Sequence, residues 1–190
     1  MNMIVAFGAS NSSKSINQKL ALWASGQLEN SEVRLLDLND YEMPIYSIDR
    51  EQKYGIPEKA YQLKEVLRDS DGIIISFAEH NGSYTAAFKN ILDWVSRIER
   101  TIWLNKPMFL LATSPGPRGA IRVLSSAQNA FPYQGGQVEA TFSLPSFSKN
   151  FNIDHGIGDS GLKNEFEKQL ANFESAIQVR KNELSPTNSL

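Results

Sequence analysis

Within Gly72–Ala78 the chain carries Ile73, Ile74 and Ile75 in succession. A strand with one solvated face alternates apolar and polar residues, so an unbroken apolar run reads as a strand buried on both sides. Such strands belong to parallel sheets, whose neighbours are joined by long crossovers, usually helices, that cover the two faces. The flanking sequence supplies both kinds of segment. Met3–Phe7 reads as a first strand ended by Gly8, and Ile16–Leu28 as a helix with Ile16, Leu20, Trp23 and Ala24 at helical spacing. Val33–Leu38 is a second strand, and Ala60–Leu67 a helix opened by Pro57 and Glu58. After the isoleucine strand comes a helix over Thr85–Arg97, with Ala87, Phe88, Ile91, Leu92 and Val95 on one side. Pro107–Thr113 and Val138–Leu144 are the fourth and fifth strands, separated by a helix at Ala120–Phe131. A long loop, Pro145–Gly161, precedes a last helix at Leu162–Lys181.

Five strands alternating with five helices predict an α/β doubly wound parallel sheet with helices on both faces. The flavodoxin-like strand order for five such units is 2-1-3-4-5. Residues 1–182 read as one domain, and Glu183–Leu190 as a frayed tail. In this arrangement ligands bind at the carboxyl ends of the strands, where the order reverses between strands one and three. The loops Gly8–Ser15, Glu79–Tyr84 and Ser114–Gly119 follow strands one, three and four, and are the places to look for chemistry.

Composition narrows that chemistry. The 190 residues include no cysteine and only His80 and His155, so thiolate sites, iron–sulfur clusters and multi-histidine metal centres are excluded by count. The work must use few histidines or come from a bound organic cofactor. A net charge of -2 argues against a phosphate-tracking nucleic-acid protein. No apolar run approaches the ~20 residues of a membrane span. The opening stretch Met1–Phe7 lacks the basic region of a signal peptide, which makes the cytoplasm the expected compartment.

The first loop, Gly8-Ala9-Ser10-Asn11-Ser12-Ser13-Lys14-Ser15-Ile16-Asn17, places four hydroxyls, two amides and a lysine at a helix start. Hydroxyl donors beside free first-turn N–H groups suit one phosphate. It departs from the triphosphate loop G-x-x-x-x-G-K-[ST], since Ser13 stands at the second glycine, and no strand end carries a strong magnesium ligand, Asp37 alone being weak. The dinucleotide fingerprint and the nucleophile elbow are missing too. Serine-rich and glycine-poor, the loop fits a phosphomonoester held by side chains. The loops Ala78–Tyr84 and Ser114–Gly119 contain no nucleophile–base pair, but can line a planar heterocycle with backbone groups, with Tyr84 as an aromatic neighbour.

These three segments together resemble the NAD(P)H-dependent FMN reductases, a family that includes quinone, azo-compound and chromate reductases. Ala9-Ser10-Asn11-Ser12-Ser13-Lys14-Ser15-Ile16-Asn17 is similar to that family's G-S-x-R-x-x-S-x-N. Ala78-Glu79-His80-Asn81-Gly82-Ser83, with Phe88-Lys89-Asn90-Ile91-Leu92-Asp93-Trp94 beyond it, is similar to P-E-Y-N-G-S and L-K-N-x-x-D-W. Ser114-Pro115-Gly116-Pro117-Arg118-Gly119-Ala120 is similar to S-P-G-x-x-G-G. The resemblance implies FMN as cofactor, NADPH or NADH as reductant and a small-molecule electron acceptor such as a quinone or flavin. No side chain need act as acid or base, because the flavin carries the chemistry. The implied phosphate positions are Ser10, Ser15 and Asn17, with the helix start at Ile16. Glu79, His80, Asn81 and Gly82 are implied to run along the ring, and Ser114, Gly116 and Gly119 to close the third side. Ser12 stands where the family has an arginine, so its strongest phosphate partner is lost and Lys14 substitutes in part. His80, Ala78 and Ala9 replace a tyrosine, a proline and a glycine. An electron carrier or redox-sensing FMN protein is the alternative of another class; a nucleotide hydrolase ranks third.

The resemblance also implies a homodimer or homotetramer built partly on the Thr85–Arg97 helix, where Trp94 and Ile98 widen the apolar surface beyond one stripe. Asp93 and Arg97 are spaced for an ion pair. Arg118 reads as a surface arginine or as a contact to an incoming nucleotide's phosphate, and His155 as solvated.

Overall fold

The computed structural model describes residues 1–184. Its central sheet is parallel, with strands β1 (Asn2–Ala9), β2 (Ser31–Leu35), β3 (Gly72–Phe77), β4 (Lys106–Thr113) and β5 (Gly136–Leu144) in the order β2-β1-β3-β4-β5. The helices between them are α1 (Ile16–Ser25), α2 (Ile48–Tyr54), α3 (Glu58–Arg68), α4 (Ala86–Val95) and α5 (Ile121–Ala130). After β5 come α6 (Phe147–Asn150), a two-stranded hairpin of β6 (Phe151–Asn152) and β7 (Gly156–Ile157), and α7 (Ser160–Leu184).

Side chains alternate across the sheet, and each face has its own core. Val5, Phe7, Ile73, Ile75 and Leu110 pack with α3, α4 and α5. Ile4, Ala6, Ile74, Phe109 and Leu111 pack with α1 and α7. The three successive isoleucines are all fully buried and feed both cores in turn, which is what a doubly covered strand requires.

Several boundaries differ from the sequence reading. Gly8 lies inside β1, which continues to Ala9. A Cβ at Gly8 would stand 2.4 Å from the backbone nitrogen of Gln18 and 2.7 Å from its Cα. The glycine lets α1 cross the strand in contact, rather than ending it. The stretch Pro145–Gly161 is not a bare loop, since it forms α6 and the hairpin, and the hairpin lies on Trp23. α7 runs on through Leu184, and residues 185–190 of the expected tail lie outside the described residues.

Trp94 is fully buried within the chain. Its indole N–H donates to the Pro44 carbonyl at 2.7 Å, and Tyr46 meets it edge-on at 5.0 Å. Asn90, one turn earlier, accepts from the Tyr46 N–H and donates to the Met43 and Pro44 carbonyls. Trp94 is thus covered by residues 43–46 of the same chain and is not part of the exposed surface of α4. The expected Asp93–Arg97 pair does not form either: Asp93 pairs with Lys89 at 2.6 Å, and Arg97 with Glu51 at 2.9 Å.

Candidate active site

The loops after β1, β3 and β4 meet at the carboxyl end of the sheet and enclose a groove of about 300 Å³. Ser10, Ser12, Lys14, Ser15, Ile16 and Asn17 line it from the first loop, Ala78, Glu79 and His80 from the second, and Thr113, Ser114 and Pro115 from the third. Loops far apart in sequence therefore converge where the strand order turns back on itself.

The first loop is wired as a set of hydroxyl donors. The Ser10 hydroxyl oxygen accepts the Ser12 N–H at 3.2 Å, Ser12 accepts the Lys14 N–H at 3.3 Å, and Ser15 accepts the Gln18 N–H at 3.1 Å. A hydroxyl that accepts a backbone N–H keeps its own hydrogen for another partner. Ser15 is the N-cap of α1, and beyond it the N–H groups of Ile16 and Asn17 begin the first turn, where the helix offers no carbonyl. Three serine O–H groups and a helix start on one wall suit an oxyanion. Lys14, exposed on the same wall, is the one side-chain cation of the groove lining.

Two amides hold this wall in place. Asn17 is buried, and its Oδ1 accepts from the Ser76 hydroxyl at 2.8 Å and the Thr113 N–H at 3.0 Å. Its Nδ2 donates to the Thr113 carbonyl at 3.1 Å. Both lone-pair positions and one of its two N–H groups are spent on β3 and β4. Asn17 borders the groove, but its amide works as a strut between α1 and the sheet. Gln18 does the same on the other side: its Oε1 accepts the Gly8 N–H at 2.6 Å, and its Nε2 donates to the Leu36 carbonyl at 2.8 Å. Sequence reading missed Gln18, although Ser15-x-x-Gln18 has the capping-box spacing. The box closes on one side only, because Gln18 reaches to the strand ends instead of back to Ser15.

The second loop turns on Asn81 and Gly82, with φ of 53° and 76°. Positive φ at both central residues is the signature of a type I′ turn, for which Asn-Gly is the favoured pair. His80 N–H donates to the Ser83 carbonyl and Ser83 N–H to the His80 carbonyl, both at 3.0 Å. The backbone of His80 is thus engaged within the turn, while its side chain is exposed on the groove. Asn81 and Gly82 form the tip and are not part of the lining. Glu79 has a structural task. Its Oε2 accepts from the N–H groups of Arg122 and Val123, each at 3.1 Å, capping α5 from another loop. The signal was the start of α5 itself, where Ala120 sits in the left-handed region and offers no capping side chain.

Tyr84, expected beside a ring, lies away from the groove lining. It packs among Phe77, Phe88 and Phe131, with ring centroids 5.5–6.4 Å away. Its buried hydroxyl has no hydrogen-bond partner, and burial pushes its pKa up to about 12. In the third loop, the Ser114 hydroxyl donates to the Gly116 carbonyl, which also accepts the Ser146 N–H at 2.9 Å. The Gly119 carbonyl accepts from the Ser143 hydroxyl. Gly116 and Gly119 shape this loop from behind and do not line the groove. Asp37, weighed above as a metal ligand, accepts the Asn39 N–H as the cap of a short 3₁₀ turn, Leu38–Tyr41.

Comparison with known proteins bears on the family and the fold. Residues 2–149 match the model of a family described as NADPH-dependent FMN reductase. The chain is 33% identical over 81 residues to a quinone reductase of Escherichia coli K12, a match that spans 43% of that protein's length. It is 31% identical over 157 residues to an uncharacterised protein of Mycoplasma pneumoniae, covering 78% of this chain and 90% of that one. A flavoenzyme NAD(P)H:acceptor oxidoreductase from Paracoccus denitrificans superposes with a TM-score of 0.74 over 94% of this chain and 98% of its own, at 24% identity, a likeness of fold.

Proposed function

Because the chain belongs to the NADPH-dependent FMN reductase family, we propose that it is an FMN-dependent oxidoreductase that takes hydride from NAD(P)H and passes electrons to a quinone, a flavin or a similar small acceptor. The observation that carries this reading is the first loop, with the hydroxyls of Ser10, Ser12 and Ser15 already accepting backbone N–H groups and free to donate. A phosphomonoester dianion accepts hydrogen bonds and gives none, so a wall of donors suits it. FMN bound in the groove would supply the hydride and electron chemistry. Ser10, Ser12, Ser15 and the N–H groups of Ile16 and Asn17 would hold its phosphate. The 79–82 turn and the 113–116 backbone would flank its ring. The exposed imidazole of His80 would lie beside that ring.

The same reading includes assembly as a homodimer or homotetramer. With Trp94 covered, its support moves to Ile45, Ile48 and Tyr54, which are 78%, 50% and 72% exposed within one stretch of chain.

The test begins with flavin fluorescence quenching by the purified chain, with Ser10→Ala and Ser15→Ala beside the wild type. Each substitution is expected to weaken FMN by about 1–2 kcal/mol, one charge-assisted hydrogen bond. Riboflavin, which lacks the phosphate, should bind all three alike. Anaerobic mixing with NADPH or NADH should then bleach the bound flavin, and a quinone should restore its colour. Absence of flavin binding would refute the reading. Binding without bleaching would favour the electron carrier.

A further inference from the structure

The strand order leaves β2 at one edge of the sheet and β5 at the other. α7 packs beside β5, and Gln169 Oε1 accepts the Thr141 N–H at 3.2 Å. The β2 edge has no such attendant among the described residues. Two bonds to β1 flank this strand. The Asn30 carbonyl accepts the Asn2 N–H at 3.0 Å, and the Leu36 N–H donates to the Ala6 carbonyl at 2.9 Å. Between them the register is unbroken, from Asn2 opposite Ser31 to Ala6 opposite Leu35. Successive residues of a strand turn their backbone groups to opposite sides, so Glu32 and Arg34 bond to β1. The backbone N–H and C=O groups of Ser31, Val33 and Leu35 face outward, and among the described residues none has a hydrogen-bond partner there. Side chains alternate as well. Val33 packs on the α1 side of the sheet, which puts Glu32 and Arg34 on the other, where Arg34 lines a groove with Tyr61 of α3. Glu58, Glu65 and Asp69 line that groove too, but Arg34 pairs with none of them. Glu32 and Arg34 are both exposed, and neither takes part in an ion pair among the described residues.

We propose that this edge binds the β2 edge of a second copy, antiparallel and in one register, with Val33 opposite its own counterpart. In that register the outward groups of Ser31, Val33 and Leu35 meet those of Leu35, Val33 and Ser31, which allows about six backbone hydrogen bonds. Glu32 lies opposite Arg34 of the other copy, and Arg34 opposite its Glu32. A slip of two residues either way keeps outward groups facing each other, but sets Glu32 against Glu32 or Arg34 against Arg34. Like charges directly opposite are destabilising, so the charges select a single alignment. Glu29 and Asp37, the next charges along the chain, lie beyond the strand ends. Charged side chains on an edge ordinarily keep strands of other copies away. Glu-x-Arg is an exception, because read antiparallel it is complementary to itself. The contact is isologous, and the two sheets become continuous through it. A strand of five residues buries little surface, so the association is weak and depends on concentration. It uses none of Ile45, Ile48 or Tyr54 and does not rest on the reductase reading.

The test is sedimentation velocity of the full chain over about 5–500 µM, a range that covers weak association. The mass of the wild type should rise with concentration. Glu32→Arg and Arg34→Glu each set like charges opposite one another at both cross-strand positions, and each should weaken the association about tenfold or more. An equimolar mixture of the two variants should recover it, since every facing pair between unlike chains is again of opposite sign. The double exchange Glu32→Arg, Arg34→Glu should associate as the wild type does. Amide hydrogen exchange reads the backbone directly. The N–H groups of Ser31, Val33 and Leu35 should slow as concentration rises, while those of Glu32 and Arg34, already bonded to β1, stay as they are. A wild-type mass that does not rise, single variants that associate like the wild type, or a mixture no better than its parts would each overturn the proposal. So would association that leaves the three outward amides unprotected.

Discussion

Replacing Asn17 by alanine separates two roles for this residue. By resemblance it contacts a phosphate; in the structure its amide joins α1 to β3 and β4. The substitution removes the acceptor for the Ser76 hydroxyl and for the Thr113 N–H, and the donor to the Thr113 carbonyl, at 2.8, 3.0 and 3.1 Å. Asn17, Ser76 and Thr113 are all buried, so the stranded groups lose their partners where water enters with difficulty. One orphaned buried polar group costs about 1–3 kcal/mol, and some water entry offsets part of the total. We expect a loss of about 3–5 kcal/mol, a large share of the ~5–15 kcal/mol of a typical domain. Urea unfolding of the flavin-free protein measures it. Asn17→Asp provides a second readout if the alanine variant does not fold. It keeps the acceptor and sets a buried carboxyl against the Thr113 carbonyl, which raises the pKa of the introduced acid in the folded state. Its stability should be closest to wild type at about pH 4 and fall as pH rises past the unfolded value of ~3.9. If flavin-free Asn17→Ala unfolds within about 1 kcal/mol of wild type and only FMN affinity drops, the strut argument is wrong.

Gly8→Ala should be among the most damaging single changes, costing about 3 kcal/mol or more, because the new methyl meets the backbone of α1 at 2.4 Å; a near-native thermal midpoint would contradict the close crossing. Glu79→Ala should cost about 1–2 kcal/mol and speed amide exchange at Arg122 and Val123, as expected for a lost helix cap. Tyr84→Phe should be neutral or stabilising, since it removes a buried hydroxyl that has no partner. Burial raises the pKa of the folded phenol to about 12, above the ~10 of a free tyrosine, so the wild type loses stability as pH rises through about 10 toward 12. The phenylalanine variant should lose less over that window in alkaline unfolding.

The doubly covered parallel sheet was legible because Ile73, Ile74 and Ile75 leave no polar face, and its strand order because five alternating strand–helix units fit the flavodoxin-like arrangement. The groove followed from the strand order, since the topology fixes which loops meet. Assignments within the groove were less legible. The side chain of an asparagine at a helix start can turn outward to a ligand or inward to a strand, and residue type alone does not separate the two. Asn17 turns inward because Ser76 and Thr113, 59 and 96 positions away in sequence, present the matching groups. The cover over Trp94 was hidden for a similar reason. Residues 43–46 are irregular, and no periodicity announces that their carbonyls meet an indole N–H. In the β6–β7 hairpin the strands are two residues long, too short to show any period.

The departure at Ser12 acquires a physical meaning once the charges are placed. Where the family has an arginine, this chain has a hydroxyl that accepts the Lys14 N–H and stays free to donate. The serine wall is therefore built mainly from neutral donors, with one exposed lysine. Salt screens exposed charges over about 8–10 Å at ordinary ionic strength and leaves a hydrogen bond from a fixed neutral donor almost untouched. On the reading proposed for the groove, the affinity for FMN should then depend little on salt. FMN affinity should fall little between about 20 and about 300 mM salt, concentrations chosen to span the screening regime. Fluorescence titration across that range gives the slope. A steep fall would mean that Lys14 supplies the missing charge after all, and that the serine wall is not the neutral site its hydrogen bonds describe.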